Sequence, residues 1–236
     1  MNILAFETST EACSVALHSA GGVIERFELA PRRHAELALP WAEALLAEAG
    51  LARAQLDAIA VGRGPGAFTG VRLAIGIAQG IALALDLPVL PVSTLRALAL
   101  RAPADAEKVL ACIDARMGEV YAATFAREGG AWRALSEEVV LAPDGYTLPD
   151  ASNDWHAVGT GLAAAEGVLA RNLSAQLRTV DASGLPHAAD VLTLAVPALA
   201  LGEGIAADKL EPAYLRNNVA LTLVEQQAAK KAKAEG

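Results

Sequence analysis

Residues 61–86 read VGRGPGAFTGVRLAIGIAQGIALALD: the end of a strand, a glycine-rich turn and a long apolar helix in succession. The apolar run Ile59-Ala60-Val61 that leads into them reads as a buried strand. Gly62, Gly64, Pro65, Gly66 and Gly70 suit an irregular turn with positive φ. Thr69 is placed to act as N-cap, and the spacing predicts a helix over 69–85. Between Val71 and Leu85 only Arg72 and Gln79 are polar, so more than one side of this helix must be covered. Gly76, Gly80 and Ala84 fall at i, i+4 and i+8, a smooth stripe that lets a second helix come close. Two readings stay open: packing inside the chain, or an interface between chains with Leu73 and Ile77 beside the stripe.

Upstream, residues 3–6 form an apolar strand ending in Glu7-Thr8-Ser9-Thr10. Strands over 13–17 and 23–29 follow, joined by a turn at Gly21-Gly22, then a helix over 35–49 ended by Gly50. Downstream comes a strand over 88–92, and Ser93 or Thr94 caps a short helix. The pattern then recurs. ILAFE, SVAL and GG match VLACID, VYAATF and GG, with Glu7 aligned to Asp114 and Gly21-Gly22 to Gly129-Gly130. Two strand–turn–strand–turn–strand units, each followed by helices, imply a duplicated α/β fold with subdomains at 1–102 and 103–220. A helix is expected over 163–173, and 221–236 reads as a frayed or disordered tail.

With 54% hydrophobic residues, core material is not limiting. The formal net charge of -8 argues against the chain gripping nucleic acid by itself, because neutralising phosphates needs a basic face. Cys13 and Cys112 form no CxxC, which fits a reducing, cytoplasmic setting. The first residues, MNILAF, lack the basic start of a signal peptide, and the apolar run, broken by Gln79, reads as too short to cross a bilayer.

A carboxylate at the tip of a first strand, followed by small hydroxyls, is a layout that holds metal-bound water and phosphate in ATPases and sugar kinases. Glu7, Thr8 and, in the second unit, Asp114 fit it; the alternative is that they cap strand ends and turns. Residues 62–70 either cradle a phosphate at the helix N-terminus or simply connect strand to helix, and no Gly-Lys-Ser/Thr follows. His18, His34, His156 and His187 have no metal-ligand spacing, and no GxSxG elbow occurs.

NILAFETSTEACSVAL, GRGPGAFTGVRLAIGIAQGIALAL, VSTLRALA, IDARMGEVYAA and EPAYLRNNVA resemble the successive signatures of the bacterial TsaB (YeaZ) family, over residues 2–220. The resemblance implies the duplicated actin-like/sugar-kinase fold (ASKHA, ribonuclease H-like). It also implies a cytoplasmic, non-catalytic subunit in threonylcarbamoyl transfer to the adenosine beside the anticodon of tRNAs reading ANN codons. The family is a paralogue of TsaD, whose His-x-x-x-His metal pair corresponds here to Thr94 and Leu98. The implied partners are TsaD, a second copy of the chain when TsaD is absent, and the ATPase TsaE, with tRNA reached only through the complex. No cofactor, metal or membrane is implied. The implied interface lies on the helices at 35–49 and 69–85, with Trp41, Leu45, Leu73, Gly76, Ile77, Gly80 and Ala84 as its residues. The competing readings are a nucleotide-dependent ATPase or phosphotransferase of the same fold, and a metallopeptidase-like enzyme.

Overall fold

A computed structural model describes residues 1–216 of the 236. The first half runs β1 (Ile3–Glu7), β2 (Ala12–Ser19), β3 (Gly22–Leu29), α1 (His34–Glu48), β4 (Ala58–Gly62), α2 (Phe68–Leu85), β5 (Val89–Val92) and α3 (Thr94–Ala99). The second runs β6 (Lys108–Arg116), β7 (Glu119–Glu128), β8 (Ala131–Ala134), β9 (Val139–Leu141), β10 (Trp155–Val158), α4 (Val168–Asn172), β11 (Leu177–Asp181) and α5 (Ala188–Ala200). The expected tail at 221–236, and the end of the second subdomain at 220, lie outside the described residues.

The first sheet has the order β3-β2-β1-β4-β5 and the second, read from its other edge, β8-β7-β6-β10-β11. In each the first three strands are antiparallel, and the last two join in parallel. This is the duplicated, actin-like α/β architecture. The copies are unequal. α2 has 18 residues where α4 has 5, and between β8 and β10 a strand and a 3-10 turn stand where α1 stands in the first half. The helix expected over 163–173 is broken because Ala165, Glu166 and Gly167 have φ of 46°, 59° and 74°, and only its end remains as α4.

Both faces of the central strands are covered, so β1, β4, β6 and β10 read as near-continuous apolar runs, while the edge strands β3, β8 and β11 stay largely open. On the first sheet, α1 and α2 pack Leu45, Val71, Ala74 and Ala78 over Phe6, Ile59 and Val61. The opposite face, with Ile3, Ala5 and Ala60, receives Val191, Leu192 and Ala195 of α5. On the second sheet, α3 places Leu95 and Leu98 over Val109, Ala111 and Ile113. Each half's last helix therefore packs on the other half's sheet, which ties the two together. A buried Leu or Val contributes about 1.5–3 kcal/mol.

Three expectations are corrected. α2 begins at Phe68 with Ala67 at its N-cap and no side-chain cap, so Thr69 lies inside the first turn. Of Gly62, Gly64, Gly66 and Gly70, only Gly64 has a positive φ, at 94°; the others serve close approach, as shown below. By length and composition α2, with mean hydropathy 1.6, is apolar enough to cross a bilayer, so its run is not too short; in the fold its inner side is taken up by the first sheet.

Candidate functional site

The turn after β1 lies against the loop that starts α2. Ala67 N–H donates to the Ser9 carbonyl at 2.7 Å, and the Thr8 hydroxyl donates to the Gly70 carbonyl at 2.7 Å. A Cβ on Gly66 would come within 2.5 Å of the Ser9 carbonyl oxygen, and one on Gly70 within 1.9 Å of the Thr8 carbonyl oxygen. A Cβ on Gly62 would meet the Glu7 carboxylate at 1.9 Å. These three glycines exist because backbone and carboxylate pass over them. The connection reading of 62–70 is therefore the one the geometry follows.

Glu7 is 1% exposed. Its Oε1 accepts from Ser9 N–H at 2.7 Å and its Oε2 from the Thr94 hydroxyl at 3.2 Å. Burial pushes its carboxyl above the ordinary value, against these hydrogen bonds. Thr8 is also buried and its hydroxyl is committed. Both residues cap the turn from behind its wall. Asp114, their partner in the second unit, is elsewhere: it lines a cleft of about 930 Å³ between the halves, which Glu7 and Thr8 do not line. Its carboxylate accepts from Arg116 N–H at 2.8 Å and pairs with the Arg116 guanidinium at 2.7 Å. The structure thus separates the residues that the phosphate-site reading would bring together.

The cleft runs from the β1–β2 turn and the start of α2 to the end of β6, and residues 212–216 close it. Ala213 N–H donates to the Arg63 carbonyl at 2.9 Å, Tyr214 takes a hydrogen bond from Arg72 at 2.5 Å, and Arg216 pairs with Glu119. Arg32, Arg72, Arg116 and Arg216 line the cleft against Glu11 and Asp114, a cationic balance inside an acidic chain.

The expected interface residues separate into two sets. Gly76, Gly80 and Ala84 are exposed on α2, with Leu73 and Ile77 half-buried beside them. A Cβ on Gly76 or Gly80 would meet nothing within 4 Å among the described residues, so the stripe packs against no described part of the chain. Trp41 is half-buried against the core. Leu45 is 0% exposed: it faces the first sheet from the inner side of α1 and is unavailable to a partner, which corrects that assignment. Sequence reasoning missed Leu83, 68% exposed, Phe68, 65%, and Leu39 on α1. Leu83 lies three residues after Gly80, so extending the stripe by helical spacing finds it, whereas Phe68, at the start of α2, lines the cleft.

The histidines stay apart. His34 holds the Thr10 and Ala12 carbonyls at 3.0 and 3.1 Å, and His156 bonds the Thr179 hydroxyl. His187 pairs with Glu25 at 3.1 Å and stacks on Phe27. Among the described residues no three His, Cys, Asp or Glu come together as metal ligands. Both cysteines are buried, and burial pushes the Cys13 thiol up to about 11. Where α5 meets the first sheet, the Glu25 carboxylate accepts from the Ser14 hydroxyl at 2.7 Å and from Ala189 N–H at 3.1 Å. Nearby Asp190 has one carboxylate oxygen buried without a partner among the described residues, and burial raises its pKa to about 6 even with Arg101 at 3.8 Å.

The family model described as TsaD, tRNA N6-adenosine threonylcarbamoyltransferase, matches residues 8–223. The "tRNA threonylcarbamoyladenosine biosynthesis protein TsaB" of Escherichia coli K12 is 46% identical over 225 residues, 93% of this chain and 96% of that one. The protein of the same name from Haemophilus influenzae is 42% identical, over 93% of this chain and 95% of that one. Among solved structures, YeaZ from Pseudomonas aeruginosa superposes with a TM-score of 0.81 at 47% identity, covering 91% of this chain and 99% of that chain.

Proposed function

The chain belongs to the TsaB (YeaZ) family, and from that premise we propose that it serves the formation of threonylcarbamoyladenosine in tRNA as a non-catalytic docking subunit in the cytoplasm. Its partners are TsaD, a second copy of itself when TsaD is absent, and TsaE within the larger complex; tRNA is modified through that complex, and the chain needs no cofactor of its own.

The observation that carries this reading is the outer face of α2. Gly76, Gly80 and Ala84 form an exposed, smooth ridge, and Leu83 adds an exposed apolar side chain beside it. Two glycines in a helix interior cost about 1 kcal/mol each relative to alanine. Nothing among the described residues uses the space they leave. Close approach of a partner helix is the compensation, and buried Leu83 would add apolar area to it.

The positions matching the TsaD histidine pair support the non-catalytic part. Thr94 is 0% exposed and its hydroxyl is spent on Glu7; Leu98 is 0% exposed and packed in the core against the second sheet. Neither side chain ligates a catalytic iron or zinc as imidazole does. No observation favours the phosphotransferase or peptidase readings over this one.

The test is reconstitution. The chain is co-purified with TsaD and TsaE, and tRNA modification is measured with each subunit left out in turn. Full modification without this chain, or failure to co-purify with TsaD, would overturn the reading.

A further inference from the structure

At the mouth of the cleft the Arg72 guanidinium lies 3.3 Å from the centre of the Phe68 ring and 4.9 Å from that of Tyr214. Both residues remain largely exposed, at 65% and 61%, with one face of the Phe68 ring taken by Arg72. Across the cleft the β6–β7 hairpin turns through Arg116, Met117 and Gly118 with φ of 63°, 56° and 78°, and so holds Met117, 86% exposed, and the Arg116 head out from the tip. Arg216 lies between, anchored by Glu119 and the Ala115 carbonyl. Arg216 is enclosed by these partners, whereas Arg116, paired with Asp114 and 77% exposed, keeps further N–H donors for a second anion. The surface therefore alternates flat aromatic faces with fixed guanidinium groups.

We propose that this cleft mouth is a contact surface for single-stranded RNA, with unpaired bases stacking on Phe68 and Tyr214 and the phosphates between them meeting Arg72 and Arg116. Charge decides against an acidic or neutral face: the chain carries -8 overall, yet the cleft lining is net cationic. Aromatic stacking with arginine is the chemistry that holds unpaired nucleotides whatever their sequence, whereas a duplex keeps its bases paired away from such rings. The volume of about 930 Å³ leaves room for a splayed base. The inference rests on the preceding functional reading only for why RNA is present; the contact itself is read without the modification reaction.

The experiment titrates the full chain, at about 0.1 M salt, with a fluorescent RNA hairpin carrying an unpaired loop and with a blunt RNA duplex of equal length. The hairpin is expected to bind about tenfold more tightly than the duplex. Stacking is worth about 1–3 kcal/mol per base, so Phe68→Ala is expected to weaken hairpin binding about tenfold, and Arg116→Gln to weaken it and flatten its salt dependence. Arg53→Gln, exposed in the turn after α1, outside the cleft lining and paired with Glu43, is the control and should change nothing. Phe68 is mostly exposed, and a thermal melt checks that the variant is folded. Equal affinity for hairpin and duplex, no detectable hairpin binding, or unchanged binding by both variants would overturn the proposal. So would a Phe68→Ala protein that loses TsaD but keeps RNA, which would make the surface part of the protein interface. A failed reconstitution with intact hairpin binding would instead sink the functional reading alone.

Discussion

Asp190 and Glu7 are both carboxyls that burial holds above their ordinary values. A group whose folded pKa exceeds its unfolded one binds an extra proton in the fold. Its contribution to stability is present below the unfolded pKa and is lost as pH rises through the folded one. For Asp190 the window runs from 3.8 to about 6. Asp190→Asn is expected to remove that slope and to raise stability at pH 7, by up to about 3 kcal/mol; denaturant melts of both proteins across the window check this. Glu7→Gln should keep the bond from Ser9 N–H and leave tRNA modification by the reconstituted complex within a few-fold of normal. A hundredfold loss, about 2.7 kcal/mol in the barrier, would give Glu7 a chemical role. Glu7 was legible as a strand-tip carboxylate. That it turns inward, onto Ser9 and Thr94, was not, because Thr94 is 87 positions away in the chain.

At the scale of the element, α2 makes opposite demands on its glycines. Gly70 has the Thr8 carbonyl in the place of a side chain, so Gly70→Ala forces the turn and helix apart. It is expected to cost more than 2 kcal/mol by thermal melt, as an overpacked core site does. Gly76→Ala and Gly80→Ala meet open space and should each stabilise the isolated chain by up to about 1 kcal/mol. Gly80→Leu should fold normally and yet lose both self-association and TsaD binding, because the added branch holds the helices apart. Light scattering beside a melt reads both outcomes at once; a folded variant that still associates would place the interface elsewhere. The spacing Gly76/Gly80/Ala84 was plain in the sequence. Which way it pointed was not, because a helix apolar on nearly every side offers no polar stripe to mark solvent.

For the molecule as a whole, the acidic balance sets a limit on RNA binding. The isolated chain is expected to bind tRNA no more tightly than micromolar at physiological salt, because few phosphates can be neutralised; sub-micromolar binding with a steep salt slope in a filter-binding assay would contradict this. The sequence by itself determined the strands of the first half, the duplication and the family, since apolar runs, turn glycines and signature stretches are local patterns that survive without coordinates; the short β9 and the exposed β11 were not read from it. It also marked α1 and α2 as the long helices. Only the tertiary structure decided that Glu7 is enclosed while Asp114 faces the cleft, that Leu45 belongs to the core and Leu83 to the surface, and that α3 and α5 each pack on the other half's sheet. It alone assembled Phe68, Arg116 and Tyr214 around one opening. The physical reason is that burial and charge are sums over neighbours brought together by chain reversal, and residues 68, 116 and 214 become neighbours only when both halves have closed.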